Sequence, residues 1–338
     1  MMDEPDLLSR LLAERDCLLA DGATGTNLFD LGLVSGEAPE IWLIEQPDRI
    51  RALHRSFVEA GADIILNNSF GANRFRLKLH GLELRALELN ATAAGLAREV
   101  ADAAGRPVVV AGSIGPTGEL FEPLGALTFE GAVAAFREQA EGLMAGGADV
   151  AWIETMSAGD EIVAAAEGAA QAGLPFIFTA SFDTAGRTMM GLPPDGLPAL
   201  AGRLARQPIA LGANCGLGPS DLVASVLAIS AVAPEAIVIA KGNCGVPQFV
   251  DGEVRYVGSP AMMADYARLA RAAGARIIGG CCGTRPEHIA AMRAALDEPR
   301  LGRPYLALVE SALGPVARPK CKDVRAGPET RRRRVAQS

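Results

Sequence analysis

Short runs of apolar residues recur along this chain, each preceded by an amphipathic stretch and a glycine. Ala60-Gly61-Ala62-Asp63 leads into Ile64-Ile65-Leu66, and Gly146-Gly147-Ala148-Asp149 into Val150-Ala151-Trp152-Ile153. Ala273-Gly274-Ala275-Arg276 leads into Ile277-Ile278 in the same way. The amphipathic stretches carry the helical period. Ile50, Leu53 and Phe57 fall on one face of 47–60, and Val133, Phe136, Ala140 and Leu143 on one face of 128–145. The glycine suits a helix C-terminus, where the chain turns through positive φ. Runs that are apolar on both faces are what parallel strands look like when helices cover the sheet.

The pattern predicts eight such strands, near 17–22, 63–69, 107–113, 148–154, 175–181, 208–214, 236–242 and 276–281. Eight βα units in about 300 residues fit an α/β chain folded as a single-domain (β/α)8 TIM barrel. An open doubly wound sheet is the alternative, since alternation alone does not demonstrate closure. The expected division is a helical lead-in over 1–16, the barrel over 17–315, and a basic disordered tail over 316–338 that carries the run Arg331 to Arg334. The stretch Leu222 to Ala240 is apolar enough to suggest a membrane span. Ala233-Pro234-Glu235 interrupts it, so it reads as a helix followed by a buried strand. Ser259-Pro260 reads as a cap with proline in the first turn, and Thr284-Arg285-Pro286-Glu287 as a capping box.

The chain has 338 residues, 49% of them hydrophobic, enough for one large core. A formal net charge of −8 argues against nucleic acid or an anionic membrane as partner. The N-terminus lacks an apolar signal core. The six cysteines form no dense framework, so reduced thiols and a cytoplasmic protein are expected.

Polar residues and glycines gather just past the predicted strands. They include Asp21-Gly22-Ala23-Thr24-Gly25, Asn67-Asn68-Ser69-Phe70, Glu154-Thr155, Asn214-Cys215-Gly216, Asn243-Cys244-Gly245 and Gly280-Cys281-Cys282-Gly283. In a barrel all of these converge on one mouth, the catalytic face. Adjacent Cys281 and Cys282 would strain a mutual disulfide, yet both can ligate one soft metal ion, and Cys215 would reach them there. Three thiolates leave a four-coordinate zinc ion with an open position, the pattern of a catalytic site. Such a site suits a substrate thiol, which the metal holds as thiolate at neutral pH. Asp21 and Glu154 could hold a substrate ammonium, and the amides of Gly22 and Ala23 a carboxylate. Thiol, ammonium and carboxylate together describe an amino acid thiol.

These motifs resemble the homocysteine S-methyltransferases. The resemblance is carried by Asp21-Gly22-Ala23-Thr24-Gly25-Thr26, Asn68-Ser69-Phe70, Gly115-Pro116-Thr117, Glu154-Thr155, Gly212-Ala213-Asn214-Cys215 and Gly279-Gly280-Cys281-Cys282-Gly283-Thr284. They span 17 to about 300 of the chain. The resemblance implies a zinc-binding barrel with Cys215, Cys281 and Cys282 as ligands, and Asp21 and Glu154 on the homocysteine amino group. It also implies that the Asn243 side chain occupies the open zinc position before substrate arrives. The product it implies is methionine. As a whole the chain resembles stand-alone bacterial betaine–homocysteine methyltransferases, so betaine is the expected donor and dimethylglycine the second product. A quaternary ammonium calls for aromatic faces. The animal-type betaine enzymes carry cage aromatics where this chain has Gly71 and Thr155. In that respect it is more like the homocysteine module of cobalamin-dependent methionine synthase. Phe29, Trp42, Phe70 and Phe75 are candidate substitutes. A separate corrinoid protein, S-methylmethionine or another methylsulfonium are the alternative donors.

Other classes stay open on the sequence alone: a zinc- or thiol-binding protein without turnover, and a redox protein using a Cys281–Cys282 disulfide. Cys17, Cys244 and Cys321 need no function. His54, His80 and His288 read as surface or packing residues within helices. The oligomeric state is not given by the sequence.

Overall fold

The computed structural model describes residues 6–250 and 253–317, so the expectations for Cys321 and for the tail beyond Ala317 lie outside the described residues. Each of the eight expected strands is present: β1 (Leu18–Leu19), β2 (Ile64–Leu66), β3 (Val109–Ile114), β4 (Val150–Met156), β5 (Phe176–Ala180), β6 (Leu211–Cys215), β7 (Val238–Gly242) and, last in the chain, β10 (Ala275–Gly280). Between β7 and β10 the chain adds an antiparallel hairpin, β8 (Pro247–Val250) and β9 (Glu253–Tyr256), which the apolar pattern does not predict. The eight strands pair in parallel in the order β1-β10-β7-β6-β5-β4-β3-β2. A parallel bridge between Ala20 and Ile64 joins the first strand to the second. That bridge brings the sheet round into a (β/α)8 barrel and rules out the open sheet.

The alternation of side chains along each strand divides the core into two layers. Leu18, Ile64, Leu66, Val109, Ala111, Val150, Trp152, Ile177, Ile239 and Ile277 fill the barrel interior. Their neighbours in sequence pack outward against the helices; Leu19, Ile65, Val110, Ile153 and Phe178 are examples. The segment ahead of the barrel is a helix, Leu7–Glu14, whose Leu8, Leu11 and Leu12 join the interior layer and close its lower end.

The recurring turn earns its sequence. Gly61 and Gly147 take φ of 99° and 91°, conformations that a side chain would strain. The aspartate two residues on hooks the preceding strand: Asp63 Oδ2 accepts from Leu19 N, and Asp149 Oδ2 from Val110 N. Arg276, two residues past Gly274 at the start of β10, donates instead to the Leu12 and Arg15 carbonyls and ties down the closing helix.

The apolar stretch after 218 forms the helix Pro219–Val232 and then β7, as expected. Among the described residues no helix is long and apolar enough to cross a membrane. Ser259 caps the helix Pro260–Ala273 through Met262 N, with Pro260 in its first turn. The cap of the helix Pro286–Leu296 differs from expectation. Its N-cap is Arg285, whose N–H donates to His288 Nδ1 at 3.0 Å. Thr284 is fully buried, so close to Gly280 that a Cβ there would sit 2.2 Å from its methyl group. It packs the mouth rather than capping the helix. His54 is buried and neutral, since burial alone lowers its pKa to about 4.

Candidate active site

Two residues beyond the last apolar inward position of several strands, the same inward face carries a polar side chain. Ala111 is followed by Ser113, Trp152 by Glu154, and Ile239 by Lys241. Period two therefore lays a polar floor over the apolar interior. Glu154 and Asp21 are both buried on it. Asp21 Oδ2 accepts from Leu66 N at 2.7 Å, which spans the β1–β2 seam. Ser113 Oγ donates to Glu154 Oε1. Burial raises both carboxyl pKa values to about 7; the nearby Lys241 ammonium opposes the rise at each.

Cys215 stands one residue past the inward-facing Asn214, so strict alternation would send it to the helix side. Its φ of 56° breaks the strand conformation. Thr155, one past Glu154, does the same at φ 62°. Non-glycine residues hold such angles only where their surroundings fix them. Asn214 supplies the fixing: its Oδ1 accepts from Thr155 N at 2.8 Å and its Nδ2 donates to Thr155 Oγ1 at 2.7 Å.

The result is that the sulfurs of Cys215, Cys281 and Cys282, from the ends of β6 and β10, meet within 4.8 Å of one another. Cys215 Sγ lies 3.0 Å from Cys281 Sγ and 3.9 Å from Cys282 Sγ. A tetrahedral zinc ion about 2.3 Å from each sulfur would set them about 3.8 Å apart. The donor set and its spacing thus fit a soft divalent metal. Sulfurs packed this closely cannot all ionise without a cation among them. Hydrogen bonds with Cys281 and Cys282 push the Cys215 pKa up, while hydrogen bonds from Cys215 and Cys281 pull Cys282 down. One thiolate accepting from two thiols accounts for both directions. Tyr256, at the end of β9, also acts on the Cys282 thiol and lowers its pKa.

Asn243 ties the two cysteine turns together. Its Nδ2 donates to the Gly216 carbonyl at 2.8 Å and its Oδ1 accepts from Cys282 N at 3.1 Å. Both ends of the amide are therefore committed to backbone here. Gly22 lies against Thr284 and Phe57, where a Cβ would come within 2.7 Å of the Thr284 carbonyl. The Ala23 N–H already donates to that carbonyl at 3.1 Å. Of the two amides expected to hold a carboxylate, Ala23's is thus engaged within the protein.

The candidate cage aromatics separate. Trp42 is core, with Arg49 stacked 5.0 Å from its ring centroid, and Phe75 packs against the outer layer. Phe29 is half exposed on the helix Thr24–Asp30. Phe70 lies over Gly115, where a Cβ would touch its ring. Gly71 faces Glu40 Oε1, 2.8 Å from where a Cβ would stand.

Cys244 is buried, its thiol donating to the Gly258 carbonyl at 3.2 Å, and burial raises its pKa to about 11. It is outside the sulfur trio. Cys244→Ala is expected to keep its metal and to retain at least about half of the activity, with a stability loss of about 1 kcal/mol for one buried sulfur; metal analysis and thermal unfolding check this.

Sequence reasoning missed Lys241. It is 3% exposed on β7, with Nζ 3.1 Å from the Gly22 carbonyl and 3.6 Å from Asp21 Oδ1. Burial works against its charge, but Asp21, Cys281 and Glu154 outweigh burial and raise its pKa. The signal was present: Lys241 lies two residues beyond inward-facing Ile239, as Glu154 lies two beyond Trp152.

The family model described as homocysteine S-methyltransferase matches residues 18–296. The homocysteine methyltransferase MmuM from Escherichia coli, in its oxidised form, superposes with a TM-score of 0.73 at 29% identity, covering 86% of this chain and 99% of that one. Its metallated form gives 0.72 at 29% identity over the same shares. Its apo form gives 0.67 at 28% identity, over 86% of this chain and all of that one.

Proposed function

Since this chain belongs to the homocysteine S-methyltransferase family, we propose that it transfers a methyl group from betaine to the sulfur of homocysteine in a zinc-dependent reaction. The observation that carries the reading is the meeting of Cys215, Cys281 and Cys282 beside two buried carboxylates. Zinc held by these cysteines would supply a fourth position where a substrate thiol is kept as a nucleophilic thiolate at neutral pH.

The chain's own groups do the rest. Glu154 and Asp21 take the homocysteine ammonium, and Ser113 keeps one Glu154 oxygen fixed. The Gly22 N–H turns toward the carboxylate, since Ala23's is spent on Thr284. Asn243 and Asn214 hold the cysteine turns, so the substrate sulfur is presented in one direction. The sulfur attacks the donor methyl in line; the carbon–nitrogen bond breaks, its electron pair stays on nitrogen, and dimethylglycine leaves. Alignment of the reacting atoms accounts for much of the rate.

A methylsulfonium donor such as S-methylmethionine, or a separate corrinoid protein, is the second reading. It is favoured by the places where animal-type enzymes carry cage rings. Gly71 there abuts Glu40, and Thr155 is bound to Asn214, so neither spot has a ring. Purified protein assayed for methionine with homocysteine and each donor decides between them. Betaine is expected to support turnover unaided; turnover with a methylsulfonium alone would replace it as donor. Binding of homocysteine without methionine from any donor would favour a binding protein instead.

A further inference from the structure

We propose that Lys241 is a positioning residue for the amino acid substrate: its buried ammonium favours the ionised forms of Asp21 and Glu154, the pair that takes one substrate ammonium. This rests on the reading of those two carboxylates given above. Lys241 reaches the mouth from β7, between Asn214 of β6 and Gly279 of β10 in register. The charged or titratable groups that face it are Asp21, Glu154, Cys281 and Cys215.

Its hydrogen bond goes to the Gly22 carbonyl, not to a carboxylate. At 3.6 Å, Asp21 Oδ1 is close enough to be neutralised without being satisfied. That oxygen is buried and has no hydrogen-bond partner among the described residues, while Oδ2 is occupied by Leu66 N. An orphaned buried acceptor beside a cation is costly unless something donates to it. The substrate ammonium is the donor this geometry awaits. Two carboxylates and one lysine leave a single negative charge, matched to a single ammonium. Without the lysine, neighbouring buried carboxylates share a proton, and substrate would have to displace it before binding.

Lys241→Met fits the buried stem and removes the charge together with the hydrogen bond to the Gly22 carbonyl. Homocysteine binding is measured by calorimetry on zinc-loaded protein, with zinc content determined in parallel and each variant compared with the native chain at the same pH. K241M is expected to keep its zinc and to bind homocysteine about tenfold more weakly, or worse, near pH 8, where the native pair is ionised, with the gap narrowing as the pH rises further and the shared proton is lost. The double variant D21N/K241M carries one negative charge with no shared proton to displace and is expected to bind more tightly than K241M. Native affinity in K241M, or a loss of the same factor at every pH with no recovery in the double variant, would overturn the proposal. Glu154→Gln separates the two readings. Weak binding by E154Q with native binding by K241M removes the lysine's role alone. Native binding by E154Q removes the ammonium site itself.

Discussion

Cys215→Ala is expected to lose its metal and its activity together, with kcat/KM down about a thousandfold or more. Of the three sulfurs, Cys215 is the one the backbone is bent to deliver. Its φ of 56° costs stability wherever it stands. Alanine at 215 would bear that strain with no sulfur to show for it. The two remaining cysteines, neighbours in sequence, would offer a metal only two thiolates. Metal analysis of the purified variant, beside a methionine assay, makes the comparison. An active variant without metal would contradict the assignment of these cysteines as ligands.

Glu154→Ala is expected to raise the KM for homocysteine about a hundredfold while leaving the metal in place, the scale of one buried, charge-assisted hydrogen bond. The carboxylate takes its hydrogen bond from Ser113 rather than from a cysteine, so metal content and substrate affinity should part company in this variant. Loss of metal from it would show the carboxylate to be a prop for the cysteine turns. The pH dependence carries the same sign. Burial raises both Asp21 and Glu154 to about 7, so each gains a proton as the pH falls through that value. The native KM should therefore climb on the acid side of neutrality and level off above it.

The barrel was legible because its repeating turn is written in residues with one physical use each. Glycine ends the helix, aspartate hooks the strand before, and an apolar run enters the sheet. The sulfur trio was legible because closure of the ring brings every strand end to one rim. What the pattern could not give was burial set by that closure. Lys241 ends an apolar run and went unremarked; the period-two step from Ile239 points it inward, but only with β6, β7 and β10 side by side does it lie under the mouth. Thr284 has the look of a helix cap, but Gly280 leaves a hollow beneath it that its side chain fills, and the cap passes to Arg285 and His288. The hairpin β8–β9 was missed because its residues lack the continuous apolar run used to find barrel strands. The paired asparagines, Asn214 and Asn243, were visible as letters beside cysteines. Their work on backbone groups from other strands was not.

The small helix ahead of β1 has a bearing on kinetics. Leu8, Leu11 and Leu12 stopper the far end of the barrel, so traffic passes through the mouth. Under the proposed reaction, the reactant gripped by Asp21 and Glu154 lies deepest, and the methyl carrier must queue above it. The amino acid then enters first and departs last. Excess of the carrier should trap methionine behind it, an ordered sequence imposed by a plugged floor rather than by any moving part.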